Sequence, residues 1–408
     1  MSREMVNSGI PWIGETPISW SVMPHKRVMH KVKEIQEHYN GEKILSLTMR
    51  GVIVRDLDAG GKMPTTFDGY QKVYPNNLLQ CLFDIDVTPR CVGLIKDEGL
   101  TSPAYSQFEM YSNGYAPYYD YLLRYMDDRK TLLHLSKNLR SSLTETDFGA
   151  VLTCVPPIAE QQKIASFLDR KCSEIDEMIA LQEQIIEELK AYKQSVITEA
   201  VTKGLNPDAP MRDSGIEWIG QIPEHWRIAT IGRLFNIYAG GDAKWEFYSD
   251  TCDTEHPYPV YTNTLDRHQT YAYTSKPMFN GDTITVTGRG DIGHAFYRRE
   301  PFDAIIRLLV LEKKYNLDCR YFAYFIEDVI HFFTNSAAIG QLSAVQVTPY
   351  AICHPTLAEQ QAIADYLDEK CADIDSLIQT KQSKIDSLKE YKKSIIYEYV
   401  TGKKEVNE

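Results

Sequence analysis

Between residues 158 and 204 apolar side chains return every third or fourth position. Ile175, Ile179, Gln182, Ile186, Leu189, Lys193, Val196 and Ala200 form one row, stepping by four and three as one face of a helix does. Met178, Ile185 and Tyr192 widen the stripe. The stretch has no Pro and no internal Gly and is rich in Glu, Lys, Gln, Ala and Leu, all of which cost little in a helix. The row returns in residues 357–403 as Ile374, Ile378, Lys381, Ile385, Leu388, Lys392, Ile395 and Tyr399, flanked by Leu377 and Tyr391. Such a match marks a duplicated unit. The pattern predicts two long helices paired as a coiled coil. Gln182/Lys381 and Lys193/Lys392 are its polar breaks, which tend to fix register at some cost in stability. At ~1.5 Å per residue, about 45 helical residues reach roughly 65 Å, which would overhang one small globule.

A second pair of matching segments precedes each helix at a distance. Residues 7–20 (NSGIPWIGETPISW) and 213–226 (DSGIEWIGQIPEHW) share Ser, Gly, Ile, Trp, Pro and a closing Trp. Pro, Gly and paired Trp without helical periodicity predict an ordered connector with anchored aromatics. Two unlike regions lie between connectors and helices. Short β-like runs such as residues 43–47, 51–54, 78–83 and 283–287 are broken by Gly, Pro, Asn and Asp, and helical patterns occur at residues 118–126 and 321–333. The layout expected is a connector (1–20), an α/β domain (21–155), a helical spacer (156–205), a linker and connector (206–226), a second α/β domain (227–353), a second spacer (354–403) and a tail (404–408). Gly204 followed by Pro207 and Pro210 is a strong stop for the first helix.

Composition narrows the class. The chain has 408 residues, 43% hydrophobic and 25% charged, as soluble globular proteins are. No apolar run suits a membrane span, and residues 1–15 lack the basic and apolar regions of a secretory leader. Eight cysteines form no CxxC and no zinc spacing, which suits reduced thiols in a cytoplasm. Cys172 and Cys371 repeat on the two helices at positions expected to be packed. Net charge is −12, weak evidence against an indiscriminate nucleic-acid binder. The two variable regions are nearly neutral, so the excess negative charge sits in helices, linkers and termini.

The whole arrangement resembles the specificity subunit of type I restriction–modification systems. The residues carrying the resemblance are the SGIxWIGxxPxxW connectors at Ser8 and Ser214, the helix starts at residues 156–162 and 355–361 (PPIAEQQ and PTLAEQQ), and the long helices running to Tyr192-Lys193 and Tyr391-Lys392. Residues 99–105 (GLTSPAY) and 285–296 (TVTGRGDIGHAF) look familial too. The resemblance implies an antiparallel helical spacer, two target-recognition domains that each read half of a split DNA sequence, and docking of modification subunits on the helices. Physics agrees, because two reading modules need a fixed distance and phase along a duplex, which a flexible linker leaves undefined.

Residues 288–293 (GRGDIG) fit G-x-G-x-x-G, but no helix pattern follows as a dinucleotide fold requires. A strand–turn–strand bearing a polar loop is the expected structure. No nucleotide-binding P-loop, HExxH or adenine-methyltransferase motif occurs, so the chain is expected to be non-catalytic. Arg, Lys, Asn and Gln are the usual base readers. In the first domain the candidates are Arg50, Arg55, Lys62, Tyr105 and Gln107. In the second they are Asn263, Arg267, His268, Arg289, His294 and Arg298. At the helix starts, Glu160, Gln161, Gln162, Glu359, Gln360 and Gln361 are expected to help dock two methyltransferase subunits. Capping explains the glutamates but not the paired glutamines.

The fold expected is therefore α+β. Two α/β target-recognition domains are joined by two long helices forming an antiparallel coiled coil, with an internal pseudo-twofold repeat. The function expected is sequence-specific recognition of a bipartite double-stranded DNA target, directing adenine methylation or restriction by partner subunits. Partners are two methyltransferase subunits and endonuclease/translocase subunits, with no membrane. No cofactor or metal is expected in this chain; S-adenosylmethionine, ATP and Mg are implied on the partners. The rival reading is a non-catalytic coiled-coil scaffold whose two globular domains bind proteins.

Overall fold

In the computed structural model, which describes residues 3–58, 64–136, 141–332 and 341–407, Ile158–Lys203 and Leu357–Val400 are each one unbroken helix. Gly204 and Gly402 follow them at φ +78° and +75°, the left-handed turn-off that glycine adopts without strain. The chain folds as two units, residues 1–182 with 383–408 and residues 183–382. Each unit therefore contains one of the two variable domains, the first half of one long helix and the second half of the other.

Within each unit the two half-helices run antiparallel. In the first, Phe167 packs against Tyr399 with ring centroids 4.4 Å apart and Lys392 Nζ reaches Asp176 at 2.6 Å. In the second, Lys193 Nζ reaches Asp375 at 2.7 Å. The seam lies where the periodicity placed it. Ile175, Gln182, Ile186, Ala200, Ile374, Ile385 and Ile395 are buried. The widening row is not: Met178, Tyr192, Leu377 and Tyr391 are exposed, so the apolar stripe is narrower than expected. Lys193 and Lys392 break the seam but gain carboxylates. Cys172 and Cys371 are both buried, and Cys252 is the exposed cysteine.

The two variable regions share a topology that their sequences hide. In the first, a four-stranded antiparallel sheet has the order Met29–Val32, Ser106–Met110, Leu78–Gln80, Val92–Leu94. In the second, the order is Phe235–Ala239, Leu309–Lys313, Thr283–Val286, Ala295–Arg298. In both, the last two strands in the order form a hairpin, and the sheet's first strand in sequence lies beside its last. A helix then packs on each sheet, Ala116–Asp128 and Cys319–Val329. The second domain adds another four-stranded sheet, from Tyr248–Ser249, Ala272–Thr274, Tyr258–Tyr261 and Asp303–Ala304. In the first, the pairs Leu45–Thr48 with Gly51–Val54 and Gln71–Val73 with Gly99–Thr101 stand in addition to the main sheet.

Each domain is closed at its ends. Ser21–Pro24 pairs antiparallel with Leu152–Val155, and Arg227–Thr230 with Ala351–His354. The connectors are small hairpins, Met5–Asn7 with Glu15–Pro17 and Met211–Asp213 with Gln221–Pro223. Trp20 and Trp226 anchor them in the cores, whereas Trp218 is half exposed. Equivalent tyrosines tie domain to helix: Tyr118 donates to the Val400 carbonyl at 2.8 Å and Tyr321 to the Val201 carbonyl at 2.9 Å. Tyr121 and Tyr324 likewise reach Asp169 and Asp368, each at 2.8 Å. Among the described residues no helix is long and apolar enough to cross a membrane.

Candidate nucleic-acid interface

In the second domain three turns come together at one end of the sheet. The first follows Tyr258–Tyr261 and carries Asn263, Arg267 and His268. The second joins Thr283–Val286 to Ala295–Arg298 and carries Arg289. The third precedes Leu309–Lys313 and carries Ile306 and Arg307. The second turn is the strand–turn–strand that the sequence predicted. Thr287 closes it, donating from Oγ1 to the Asp291 carbonyl at 2.7 Å and accepting from His294 N–H at 3.0 Å. Gly293 at φ +94° leaves no space for a Cβ beside Phe332.

Asn263 joins all three turns. Its Oδ1 accepts from Gly288 N–H at 2.7 Å and its Nδ2 donates to the Ile306 carbonyl at 2.6 Å. Its carboxamide is thus committed to backbone, a positioning role rather than the base contact expected. Arg298 is corrected more sharply. It is 6% exposed, with Nε on Thr285 Oγ1 at 3.1 Å, Nη1 on the Arg267 carbonyl at 2.6 Å, and its guanidinium 3.7 Å from the Tyr261 ring centre. Burial lowers its pKa, and the polar and aromatic partners hold the cation in place. It braces the loop that carries Arg267 and, being buried, is not placed to meet DNA itself. His294 pairs through Nδ1 with Glu327 at 3.0 Å, and Glu327 also takes the Ala295 N–H. Arg267, His268 and Arg289 remain exposed, as a reading surface requires.

Sequence reasoning missed two exposed features here. Arg307 interrupts the apolar run 304–311 (AIIRLLVL), which reads as a buried strand. Trp245, 58% exposed, leans on Tyr248 and Tyr271 at 6.0 and 5.9 Å. A cluster of aromatics at residues 245–248 (WEFY) was its signal.

The first domain offers a tighter feature. Arg50 is exposed in the turn of the Leu45–Thr48/Gly51–Val54 hairpin, next to exposed Met49. Gly51 at φ +96° packs under Arg124, whose guanidinium lies 3.1 Å from where a Cβ would stand. Arg55 follows the hairpin, its N–H on the Ile44 carbonyl at 2.7 Å. Lys62 lies outside the described residues. Tyr105 is half-buried against Phe83 at 6.1 Å, and burial raises its pKa. Gln107 is a correction: it is fully buried, accepts from Tyr74 N–H at 2.8 Å and donates to the Lys72 carbonyl at 3.2 Å. A base cannot reach it without opening the sheet.

The helix starts divide in the same way. Gln161 and Gln360 are buried. Gln161 accepts from Tyr115 N–H and donates to the Asn113 and Pro156 carbonyls. Gln360 accepts from Asp318 N–H and donates to the Pro355 carbonyl. Both hold the first turn of their domain's helix and are withdrawn from the surface, against the expectation that they dock a partner. Glu160 pairs with Arg3 and accepts from Trp20 Nε1 at 3.0 Å. Glu359 accepts from Thr356 at 3.0 Å and meets His225 at 2.8 Å. Burial pushes the Glu359 carboxyl up, but these hydrogen bonds outweigh it and its pKa is lowered. Gln162 and Gln361 are exposed. Among the described residues no group of three or more His, Cys, Asp or Glu side chains is placed to hold a metal ion.

Known proteins resemble this chain on both levels. The family model described as the type I restriction modification DNA specificity domain matches residues 223–390. A putative type I restriction enzyme MjaX specificity subunit from Methanocaldococcus jannaschii is 26% identical over 308 residues, covering 71% of this chain and 69% of that protein. A putative type I specificity subunit, S.MpnORF89P from Mycoplasma pneumoniae, is 26% identical over 145 residues, covering 36% of this chain and 42% of that one. In fold, a solved chain from work on complex assembly and conformational transition of the type I R-M system superposes with a TM-score of 0.74 at 14% identity, covering 94% of this chain and 98% of that one. The HsdS subunit of Thermoanaerobacter tengcongensis superposes with a TM-score of 0.54 at 16% identity, covering 95% and 98%.

Proposed function

We infer that this chain, which belongs to the specificity subunits of type I restriction–modification systems, recognises a bipartite DNA target through its two domains. The observation that carries this reading is the repeated sheet topology with unlike loops at its ends. A conserved frame with divergent reading loops is what two half-sites of different sequence require. Exposed Arg50 in the first domain, and Arg267, His268 and Arg289 in the second, are proposed to contact DNA. Asn263 and Arg298 position them.

The chemistry belongs to other subunits in this proposal. Two modification subunits would transfer methyl groups to adenine from S-adenosylmethionine, and restriction subunits would use ATP and Mg. The exposed faces near Gln162 and Gln361 are proposed docking points, and the assembly would work in the cytoplasm. Binding is expected to fall steeply with salt, because phosphate neutralisation releases counterions.

The test is selection from a pool of randomised duplexes by the full chain, alone and co-expressed with its modification subunit. Recovery of two short conserved blocks at constant spacing supports the reading. Recovery of no preferred sequence in either form refutes it and leaves the protein-binding scaffold.

A further inference from the structure

The turn before Leu309–Lys313 is strained. Ile306 and Arg307 are consecutive non-glycine residues at φ +54° and +60°. The left-handed region is uncommon for L-residues and exceptional for a β-branched one. Such strain persists only where the surroundings impose it, and it gathers at functional sites.

The surroundings here impose it from several sides. Ile306 N–H donates to the Gly241 carbonyl at 2.9 Å, Arg307 N–H to the Gly240 carbonyl at 3.1 Å, and Leu308 N–H to the Ile305 carbonyl at 3.1 Å. Asn263 holds the Ile306 carbonyl. Gly240 and Gly288 leave the turn no slack. A Cβ on Gly240 would stand 2.7 Å from Ala304 backbone, and one on Gly288 would stand 2.8 Å from the Arg307 carbonyl. Ile305 and Leu308 are buried on either side while Ile306 and Arg307 project outward. With the described residues the Arg307 guanidinium makes no hydrogen bond or ion pair.

We propose that Arg307 is a sequence-reading residue of the second domain, presented to DNA by this fixed turn and locked through Asn263 to the turn that carries Arg289. The proposal rests on the DNA-recognition reading and names the residue that gives it selectivity. A solvated surface arginine needs no left-handed backbone, and glycine would occupy position 307 without strain. A phosphate contact needs only charge, which a mobile lysine supplies. A planar guanidinium on a rigid turn instead suits the paired acceptors of guanine, N7 and O6.

Arg307→Gly separates these roles, because it relieves the backbone while removing the reader. The experiment uses the full chain with its co-expressed modification subunit and two probes, the duplex that the wild type selects from a random pool and a scrambled duplex. Thermal unfolding should move upward for the variant. Affinity for the selected duplex should fall about tenfold or more, as for a lost bidentate base contact, with a much smaller change on the scrambled duplex. Reselection should show relaxed preference inside one half-site only. Arg307→Lys should not restore the preference, and Ile306→Gly, which relieves the same turn but keeps the guanidinium, should retain it.

Unchanged preference in Arg307→Gly overturns the assignment. So does an equal loss on both duplexes, which marks a phosphate contact. If the wild type itself selects no sequence, the DNA-recognition reading fails and this assignment falls with it; a selective wild type with an indifferent variant removes Arg307 alone.

Discussion

The side-chain carbonyl of Gln161 accepts a hydrogen bond from the backbone N–H of Tyr115 at 2.8 Å. Its amide donates to two further backbone carbonyls, so one buried side chain satisfies three main-chain groups. Gln161→Ala leaves these groups without their partner, and unsatisfied buried groups cost about 1–3 kcal/mol each. The first unit is expected to lose about 2–4 kcal/mol in urea unfolding. Gln162→Ala, one residue on and exposed, should stay within about 0.5 kcal/mol of wild type.

His25 is fully buried against Phe148, and burial lowers its pKa from 6.5 to about 4. Above pH 6.5 both folded and unfolded chains hold it neutral. Below that, the unfolded chain binds a proton that the folded chain refuses. Stability from this group should therefore fall as pH drops through 6.5 towards 4, by up to about 1.4 kcal/mol per pH unit. His25→Leu should flatten that slope in chemical unfolding measured across the window.

Asp328 behaves oppositely. Burial first, and neighbouring Glu327 second, raise its pKa from 3.8 to about 7, with Lys193 only partly offsetting them. The folded state binds the proton more tightly, so stability declines as pH rises from about 4 through 7. The residue also stands at the end of the Cys319–Val329 helix, where negative charge is unfavourable. Asp328→Asn should stabilise the second unit by about 1–2 kcal/mol at pH 8 and by little near pH 4. Equal unfolding midpoints for variant and wild type at pH 8 would remove the idea. Over the shared window the two groups pull in opposite directions, so each slope is read as a difference from wild type.

The lysines in the helical seam should set register more than stability. Lys392–Asp176 and Lys193–Asp375 are partly exposed pairs, worth about 0–1 kcal/mol each. A double-mutant cycle on Lys392 and Asp176 is expected to return a coupling below about 1 kcal/mol that fades in high salt.

The helices, connectors and duplication were legible because they rest on periodicity and on repeated local chemistry. Gly204 stops its helix and Trp20 anchors its connector as the residue types alone suggest. The shared sheet topology was not legible. Its strands are three to five residues long, and their pairing joins segments far apart in sequence, such as Met29–Val32 with Ser106–Met110. Side-chain roles failed for a related reason. Gln107, Gln161, Gln360, Asn263 and Arg298 are the polar types that read DNA or dock partners, yet the same donors and acceptors satisfy backbone inside a fold. Arg307 was hidden by the reverse effect, since its apolar neighbours disguised an exposed corner as a strand.

Each domain begins and ends on strands hydrogen-bonded to one another, Ser21–Pro24 with Leu152–Val155 and Arg227–Thr230 with Ala351–His354. Whatever sequence lies between is inserted at a closed clasp, with its two ends fixed side by side. A segment spanning clasp to clasp is expected to be exchangeable for another that ends on the same strands and keeps the backbone contacts of Gln161 and Gln360 at the helix starts. Each domain is thereby an insertion whose two ends the rest of the chain holds at one place, whatever fills the space between them.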